Sequence, residues 1–177
     1  MKISIVIPSN NEAKYVEQLL DFIKHNSTPE NIEEIIIVES FNTKRIVKLA
    51  EKSHAKLYYN LCANRNSQME MGAFQAKGDI IYFIKPASTP PAGFDERIIS
   101  FAQEKYAIGC FDDEVQDGDN LFIRFYKYLK CVLFTNLKHA NSFFVTSKLY
   151  YQSGGLKKHG SYRKLKNEIS TDNHTYL

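Results

Sequence analysis

The sequence predicts one α/β domain whose mostly parallel β-sheet is flanked by helices, within a chain of 177 residues. Two observations predict this fold class. Apolar runs rich in Ile, Val, Tyr and Phe alternate along the chain with segments of helical periodicity. Several of these runs are apolar almost without interruption, which is typical of strands that a parallel sheet buries on both faces. Right-handed crossover helices would then join successive strands.

Each predicted strand is a short apolar run bounded by polar or turn-forming residues. The runs "KISIVIP", "EIIIVES" and "DIIYFIK" are the most continuous, so they predict strands that are covered on both faces. The predicted strands are residues 2–8, 34–40, 56–60, 79–85, 106–112 and 141–147.

The segments between the strands have the spacing of amphipathic helices. In residues 11–26, apolar side chains recur every three or four positions from Val16 to Ile23, so one face is apolar. A long aromatic helix is predicted over 120–138, and a short helix over 148–155 ends at two glycines. The other predicted helices are residues 43–54 and 66–78.

Residues 1–156 are predicted to form the single domain. The basic, polar segment 157–177 contains few core residues and is expected to be poorly ordered. The composition, 44% hydrophobic and 24% charged, is that of an ordinary soluble protein. Because a net charge of +3 is too small to indicate a nucleic-acid partner, none is expected.

Three widely spaced cysteines argue against a disulfide framework and against a zinc site, so the sequence predicts a reducing, cytoplasmic environment. The first apolar segment has only six residues before a proline, which is too short for a signal peptide or a membrane span. It is predicted to be the first strand instead.

Ligands of open α/β sheets bind beyond the carboxyl ends of the strands. Here those ends carry the segments "PSNNE", "ESFNT", "NLCANRN" and "KPAST". None of them contains the glycine pattern of a dinucleotide fingerprint or of a phosphate-binding loop. The usual nucleotide-binding motifs are therefore excluded.

Four segments follow one another within residues 3–98: "SIVIPSNNEAKYVEQLL", "EIIIVES", "NRNSQMEMGAFQAKGDIIYFI" and "PPAGFDERI". In order and spacing they resemble the nucleotide-sugar half of the family-2 glycosyltransferases, which have the GT-A fold. Residues 143–156 resemble, more weakly, the family's segment of a strand, a short helix and two glycines. The resemblance implies a GT-A-like (Rossmann-like) sheet, a nucleotide-binding half over 1–98, and transfer of a sugar from a nucleoside-diphosphate donor.

The resemblance also implies which residues hold the nucleotide. The turn after the first strand would contact the base and the ribose, Glu39 would contact the base, and Arg65 would lie near the nucleotide. Lys85, at the exit of the fourth strand, would lie near the phosphates. The nucleotide-binding residues predicted in this way are Pro8, Ser9, Asn11, Glu12, Glu39, Arg65 and Lys85.

The sequence departs from the family where its acidic metal ligands would lie. That position reads "KPAS", and from Gly78 to Gly93 the only carboxylate is Asp79, which precedes the strand. Magnesium usually takes one or two carboxylates among its oxygen ligands, so no metal site or cofactor is expected, and little dependence on magnesium or manganese is predicted. Lys85 either stabilises the diphosphate leaving group as a fixed cation or is a solvent-exposed lysine at a strand end.

The acidic catalytic base that the family places after its two glycines has no counterpart here. Asp112, which ends a predicted strand, is the candidate for that role. The acidic group 112–119 could also supply replacement metal ligands, or it is a solvated loop. His139 and His159 are isolated in the sequence; either could be a base, but a lone histidine is more often a surface residue.

Two of the predicted nucleotide contacts also fit structural roles. Glu39 lies close to Asn42 and Thr43, where a carboxylate favours the N-terminus of the following helix. Glu12 ends the segment "SNNE", which has the spacing of an N-terminal capping box. For Glu12 the structural role does not exclude a nucleoside contact.

Two functions stay open from the sequence. One is a glycosyltransferase that is metal-independent or catalytically impaired. The other is a non-catalytic module that scaffolds a protein partner through the aromatic helix 120–138. Lysines interrupt the apolar side chains of that helix, so it could lie on a membrane surface, whereas a core helix or a homodimer contact is the simpler interpretation.

Overall fold

The computed structural model describes residues 1–61, 64–103, 108–111 and 141–155. The strands are β1 (Ile3–Ser9), β2 (Ile32–Glu39), β3 (Lys56–Tyr59), β4 (Ile80–Ile84), β5 (Ile108–Phe111) and β6 (Ser142–Thr146). The helices are α1 (Ala13–Asn26), α2 (Lys44–Ser53), α3 (Arg65–Gln75), α4 (Phe94–Gln103) and α5 (Ser147–Gln152), and a 3₁₀ turn (Pro29–Asn31) precedes β2.

The six strands form one sheet with the order β3-β2-β1-β4-β6-β5. β1 pairs in parallel with β2 and with β4, and β2 pairs in parallel with β3. β6 pairs antiparallel with β4 and β5. The predicted fold class, an α/β domain with a mostly parallel sheet, is confirmed. Because the chain leaves β1 toward β2 on one side and later returns to β4 on the other, the strand order reverses between β1 and β4, and open α/β sheets bind their ligands at such a point.

Helices cover both faces of the sheet, which explains why its strands are continuously apolar. On one face, Ile5 and Tyr82 pack in a core with residues of α1, α2 and α4. On the other face, Val6 and Phe83 pack with residues of α3 and α5. Gly72 of α3 lies so close to Val6 that a Cβ atom would overlap the valine side chain. Glycine at this position therefore allows α3 to approach β1 closely.

The predicted and observed strand boundaries agree within two residues. The sequence pattern does not predict α4, whose N-terminus follows the loop-like "PPAG". Asp95 in the first turn of α4 is buried and accepts hydrogen bonds from the backbone N of Thr28 (2.9 Å) and from Nδ2 of Asn31 (2.8 Å). These contacts, distant in sequence, tie α4 to the connection between α1 and β2. The predicted helix 120–138 and the tail 157–177 lie outside the described residues.

Cys110 in β5 is disulfide-bonded. The odd number and wide spacing of the cysteines argue against a disulfide framework, and for this residue the expectation is wrong. An odd count excludes complete pairing but still permits one bridge, and cysteines that are distant in sequence can be brought within bonding distance by the fold. The predicted cytoplasmic location loses this supporting argument and stays a prediction.

Candidate functional site

One buried carboxylate joins the two turns that follow β1 and β2. Glu39, the last residue of β2, is 1% exposed. Its Oε1 accepts hydrogen bonds from the backbone N of Asn11 (2.8 Å), Ser40 (2.8 Å) and Phe41 (3.2 Å). Its Oε2 accepts a hydrogen bond from Oγ of Ser9 at 2.6 Å. Asn11 has a φ of 59°, in the left-handed region that asparagine adopts more readily than most residues. The carboxylate therefore fixes the two turns against each other.

The alternative role predicted for Glu39, at the N-terminus of α2, belongs to another residue. Thr43 is the N-cap of α2, and its side chain accepts a hydrogen bond from the backbone N of Ile46 at 3.4 Å. The backbone donors to Glu39 belong instead to the turn residues around it. Glu39 thus organises the turn between β2 and α2, whereas Thr43 caps the N-terminus of α2.

Gln68 of α3 holds the same two turns and is not among the site residues predicted from the sequence. Its Nε2 donates hydrogen bonds to the backbone O of Ser9 (2.6 Å) and to Oγ of Ser40 (2.9 Å). The side chain is fully buried, and its Oε1 has no hydrogen-bond partner among the described residues. Gln68 shares the buried face of α3 with Met69 and Gly72. A glutamine on the apolar face of a helix is the sequence signal that could have identified it.

Arg65, the first residue of α3, pairs with Glu12 beside the β1–α1 turn. Nη2 of Arg65 donates to both carboxylate oxygens of Glu12 at 3.0 and 2.9 Å, and Nη1 donates to the backbone O of Pro8 at 3.3 Å. Glu12 also accepts a hydrogen bond from the backbone N of Asn10 at 3.2 Å. The predicted capping box is not formed, because α1 begins at Ala13 and its N-cap residue Glu12 makes no side-chain capping bond.

A cleft of about 420 Å³ opens at the carboxyl ends of β1 and β4. It lies at the reversal of strand order and brings together three predicted site residues that are distant in sequence, Glu12, Arg65 and Lys85. The backbone N of Lys85 donates to the backbone O of Asn141 at 3.0 Å, so the residue after β4 is held by the residue before β6. The other lining residues are Ala87, Ser88, Thr89 and Asn141.

Two exposed aromatic side chains lie at the same edge of the sheet, on the side of β2 and β3. Phe41 follows β2 and is 53% exposed, and Tyr59 ends β3 and is 36% exposed. Tyr59 is the partner of Glu39 in the strand register, and its hydroxyl donates to Oδ1 of Asn42 at 3.1 Å. Neither Phe41 nor Tyr59 is among the site residues predicted from the sequence.

The candidate base and the other titratable groups considered from the sequence fall in another part of the chain. Asp112, the acidic group 112–119, His139 and His159 lie outside the described residues. Within residues 1–61, 64–103, 108–111 and 141–155, His, Cys, Asp and Glu side chains form no group of three or more that could hold a metal ion. The helices of that part of the chain lack the length and the apolar character that crossing a bilayer demands.

A sequence model described as "Glycosyl transferase family 2" matches residues 4–157. The search of curated proteins found no significant match. Solved structures with the same fold include the mannosyltransferase PcManGT from Pyrobaculum calidifontis in complex with GDP-Man and manganese. That structure has 18% identity, a TM-score of 0.66, and coverage of 87% of this chain and 47% of its own.

Two further structures show the same architecture. S. aureus TarS in complex with UDP has 15% identity and a TM-score of 0.64, with 87% of this chain and 49% of that chain covered. Glucosyl-3-phosphoglycerate synthase from Mycobacterium tuberculosis has 18% identity and a TM-score of 0.58, with 84% of this chain and 57% of that chain covered. The chain thus spans about half the length of these structures, and at such identities the similarity shows the fold alone.

Proposed function

Because the chain belongs to glycosyl transferase family 2, we propose that it binds a nucleoside-diphosphate sugar at the carboxyl edge of its sheet and transfers the sugar to an acceptor. The observation that carries the proposal is the meeting of Arg65 and Lys85 in one cleft at the reversal of strand order. These residues are far apart in sequence, and the fold brings both cations to the edge where α/β sheets bind ligands. The nucleotides bound to PcManGT and TarS support this choice of ligand class.

The charges of the cleft suit a diphosphate. Two cationic side chains and one carboxylate line it, which leaves one net positive charge among the described residues. Arg65 presents a planar guanidinium whose donors match phosphate oxygens, and Lys85 adds a compact charge. The hydrogen bonds from Arg65 to Glu12 hold the guanidinium at the cleft, so a bound phosphate would share it with the carboxylate.

The described lining of the cleft does not fit a divalent cation. Its one carboxylate, Glu12, already accepts two hydrogen bonds from Arg65, and Lys85 places a second positive charge in the same space. Magnesium and manganese favour carboxylate and other oxygen ligands. We therefore propose that Lys85 supplies positive charge beside the leaving diphosphate.

Sugar transfer breaks the bond between the anomeric carbon and the β-phosphate oxygen, and the electron pair of that bond leaves with the nucleoside diphosphate. The acceptor hydroxyl oxygen bonds to the anomeric carbon, and its proton passes to a base. Since negative charge grows on the diphosphate in the transition state, fixed cations at this position accelerate the reaction. Asp112 stays the proposed base, and it lies outside the described residues.

Calorimetric titration with UDP and with GDP, each with and without manganese, tests the binding step. We expect binding that does not require manganese and that Lys85→Ala weakens about tenfold, because a charge-assisted contact to phosphate is lost. Lys48→Ala, at an exposed lysine of α2, is the matched control and should leave the Kd within about twofold.

Three results would count against parts of the proposal. A strict manganese requirement, or unchanged binding by Lys85→Ala, would contradict the role given to Lys85. Absence of binding by either nucleotide would contradict the nucleotide site itself. Binding without turnover of any nucleotide sugar would favour the non-catalytic module instead. In that function, residues 120–138 would contact a protein partner, a second copy of the chain or a membrane surface. These residues lie outside the described part of the chain.

A further inference from the structure

Burial and hydrogen bonds close the carboxylate of Glu39 to a ligand. Its Oε1 accepts three hydrogen bonds from backbone N–H groups, and its Oε2 accepts one from Oγ of the buried Ser9. Three of the donors are backbone N–H groups, whose positions are fixed by the turns they belong to. With 1% of the residue exposed, a nucleobase could reach this carboxylate only by displacing the turns.

The backbone of Phe41 belongs to the junction of these two turns. Its backbone N donates to the same oxygen of Glu39 that the backbone N of Asn11 donates to, at 3.2 and 2.8 Å. The backbone of Phe41 therefore lies beside the β1–α1 turn, while its ring is 53% exposed. A large exposed apolar ring next to a turn that is rigidly held offers a flat surface to a planar ligand.

The order of groups along the edge follows the order of parts in a nucleoside diphosphate. From β3 to β4 the edge presents Tyr59, then Phe41, then the β1–α1 turn with Glu12 and Arg65, and then Lys85. Adjacent strands are about 4.8 Å apart, so Phe41 and Lys85 are separated by roughly 10 Å. A ribose and a diphosphate fill that interval when the phosphates contact the cations, and the base then reaches the aromatic end.

We propose that Glu39 is a positioning residue and that the base of the donor nucleotide is held by stacking on Phe41, with Tyr59 beside it, rather than by a hydrogen bond to Glu39. The inference rests on the proposed function, because it concerns the base of the same nucleotide.

The inference also predicts which nucleotide bases the site accepts. Uracil and guanine carry a ring N–H that a carboxylate can accept, whereas adenine carries none. Stacking accepts all three, since every base has a π-face. The site therefore binds UDP, GDP and ADP with similar affinity.

Calorimetric titration of the full chain with UDP, GDP and ADP tests this inference. We expect the three Kd values to lie within about tenfold of one another, with the purine nucleotides at least as tight because their rings stack over a larger area. Phe41→Ala should weaken all three by about tenfold, and Phe41→Tyr, which keeps the ring, should restore them.

Two variants serve as controls for position. Phe74→Ala removes a ring of α3 that is 77% exposed and lies nine residues, or about 14 Å along the helix axis, from Arg65, so binding should not change. Tyr15→Ala removes an exposed ring in the first turn of α1. If Tyr15→Ala abolished binding and Phe41→Ala did not, the assignment of the stacking surface to Phe41 would be overturned.

Glu39→Gln separates positioning from recognition. As a positioning residue, Glu39 affects all three nucleotides by the same factor, so the ratios of their Kd values stay unchanged even where the variant is less stable. A preference of about a hundredfold for UDP or GDP over ADP, removed by Glu39→Gln, would overturn the inference and leave the proposed nucleotide site intact. Failure of the wild-type chain to bind any of the three would refute the proposed function itself, a result distinct from a change in preference.

Discussion

Strand β2 carries a partly buried glutamate, Glu34, near its start and a buried one, Glu39, at its end, and the two have similar surroundings except for one difference. In the register of β1 and β2, Ser4 is paired with Glu34 and Ser9 with Glu39, and in each pair the serine hydroxyl donates to the carboxylate. Glu34 also accepts a hydrogen bond from the backbone N of Lys77 at 2.6 Å and forms an ion pair with Lys56. Glu39 has only backbone N–H donors besides its serine, and no cation pairs with it within the described residues.

The difference distinguishes the two edges of the sheet. At the amino edge, a lysine neutralises the partly buried carboxylate of Glu34, so the contact connects β2 to β3. At the carboxyl edge, the backbone of two turns satisfies Glu39, and the cations Arg65 and Lys85 line the cleft. The same residue type therefore connects two strands at one edge of the sheet and holds the turns beside the cleft at the other.

The largest expected effect is on stability when Glu39 is removed. In Glu39→Ala, three backbone N–H groups and the hydroxyl of Ser9 lose their acceptor, and unsatisfied buried donors are costly, although entering water can satisfy some of them. We expect a loss of about 3 kcal/mol in the free energy of unfolding, measured by urea denaturation at pH 7. Glu33→Ala, at an exposed glutamate of the same strand, should change it by about 0.5 kcal/mol or less. Equal losses in the two variants would show that Glu39 does not organise the turns.

A smaller, pH-dependent effect is expected at Glu34. Burial raises the pKa of Glu34, but hydrogen bonds from Lys56, the backbone N of Lys77 and Ser4 together outweigh it, so the pKa lies below its ordinary value of 4.5. Stability gained from a lowered pKa is fully present above the ordinary value and is lost as the pH falls through the lower pKa of the folded state.

Replacing Glu34 by glutamine removes this contribution. At pH 7, Glu34→Gln should lower the free energy of unfolding by about 1.5 kcal/mol, and the difference from wild type should shrink as the pH falls below 4.5. Denaturation series at several pH values measure it, with Glu33→Gln as the control. A difference that stays constant down to about pH 3 would mean that the charge of Glu34 does not contribute.

The local sequence pattern predicts the sheet because a strand that is buried on both faces is apolar at nearly every residue. β1, β2 and β4 can be identified for this reason, and so can α1, whose apolar face repeats regularly. α4 is missed because it follows the loop-like segment "PPAG" and because Asp95, which connects it to the rest of the fold, contacts residues more than sixty positions away. The disulfide of Cys110 is missed for the same reason: it depends on proximity in space.

The candidate site also has features that local sequence predicts and features that depend on contacts between distant residues. Its location follows from the general rule for parallel sheets, and the residues at the strand ends could be named from the sequence. The pairing of Arg65 with Glu12, 53 positions apart, could not be predicted, since no local pattern records it. Nor could the burial of Glu39. A carboxylate at a strand end is ordinarily exposed, and only the convergence of two turns supplies the four donors that bury it.

The smallest expected effect, at Lys56, sharpens the contrast between the edges. A hydrogen bond to Glu34 raises the pKa of Lys56 above its ordinary value of 10.5, so its contribution is fully present below 10.5 and is lost as the pH rises through the raised value. Because the side chain is 41% exposed, water and salt screen the pair. Lys56→Met should lower the free energy of unfolding by about 0.5 kcal/mol at pH 7 in dilute buffer.

Salt then distinguishes the two glutamates. In about 1 M sodium chloride, the effect of Lys56→Met should largely disappear, because an exposed ion pair is screened at that concentration. The effect of Glu39→Ala should persist, since the donors to its carboxylate carry no charge. Lys52→Met, at an exposed lysine of α2, is the control for loss of a surface charge. If salt removed both effects equally, the distinction between a charge-balanced edge and a backbone-satisfied edge would be wrong. If salt removed only the effect of Lys56→Met, the stabilisation by Glu39 would come from its hydrogen bonds to the two turns and not from a charge pair.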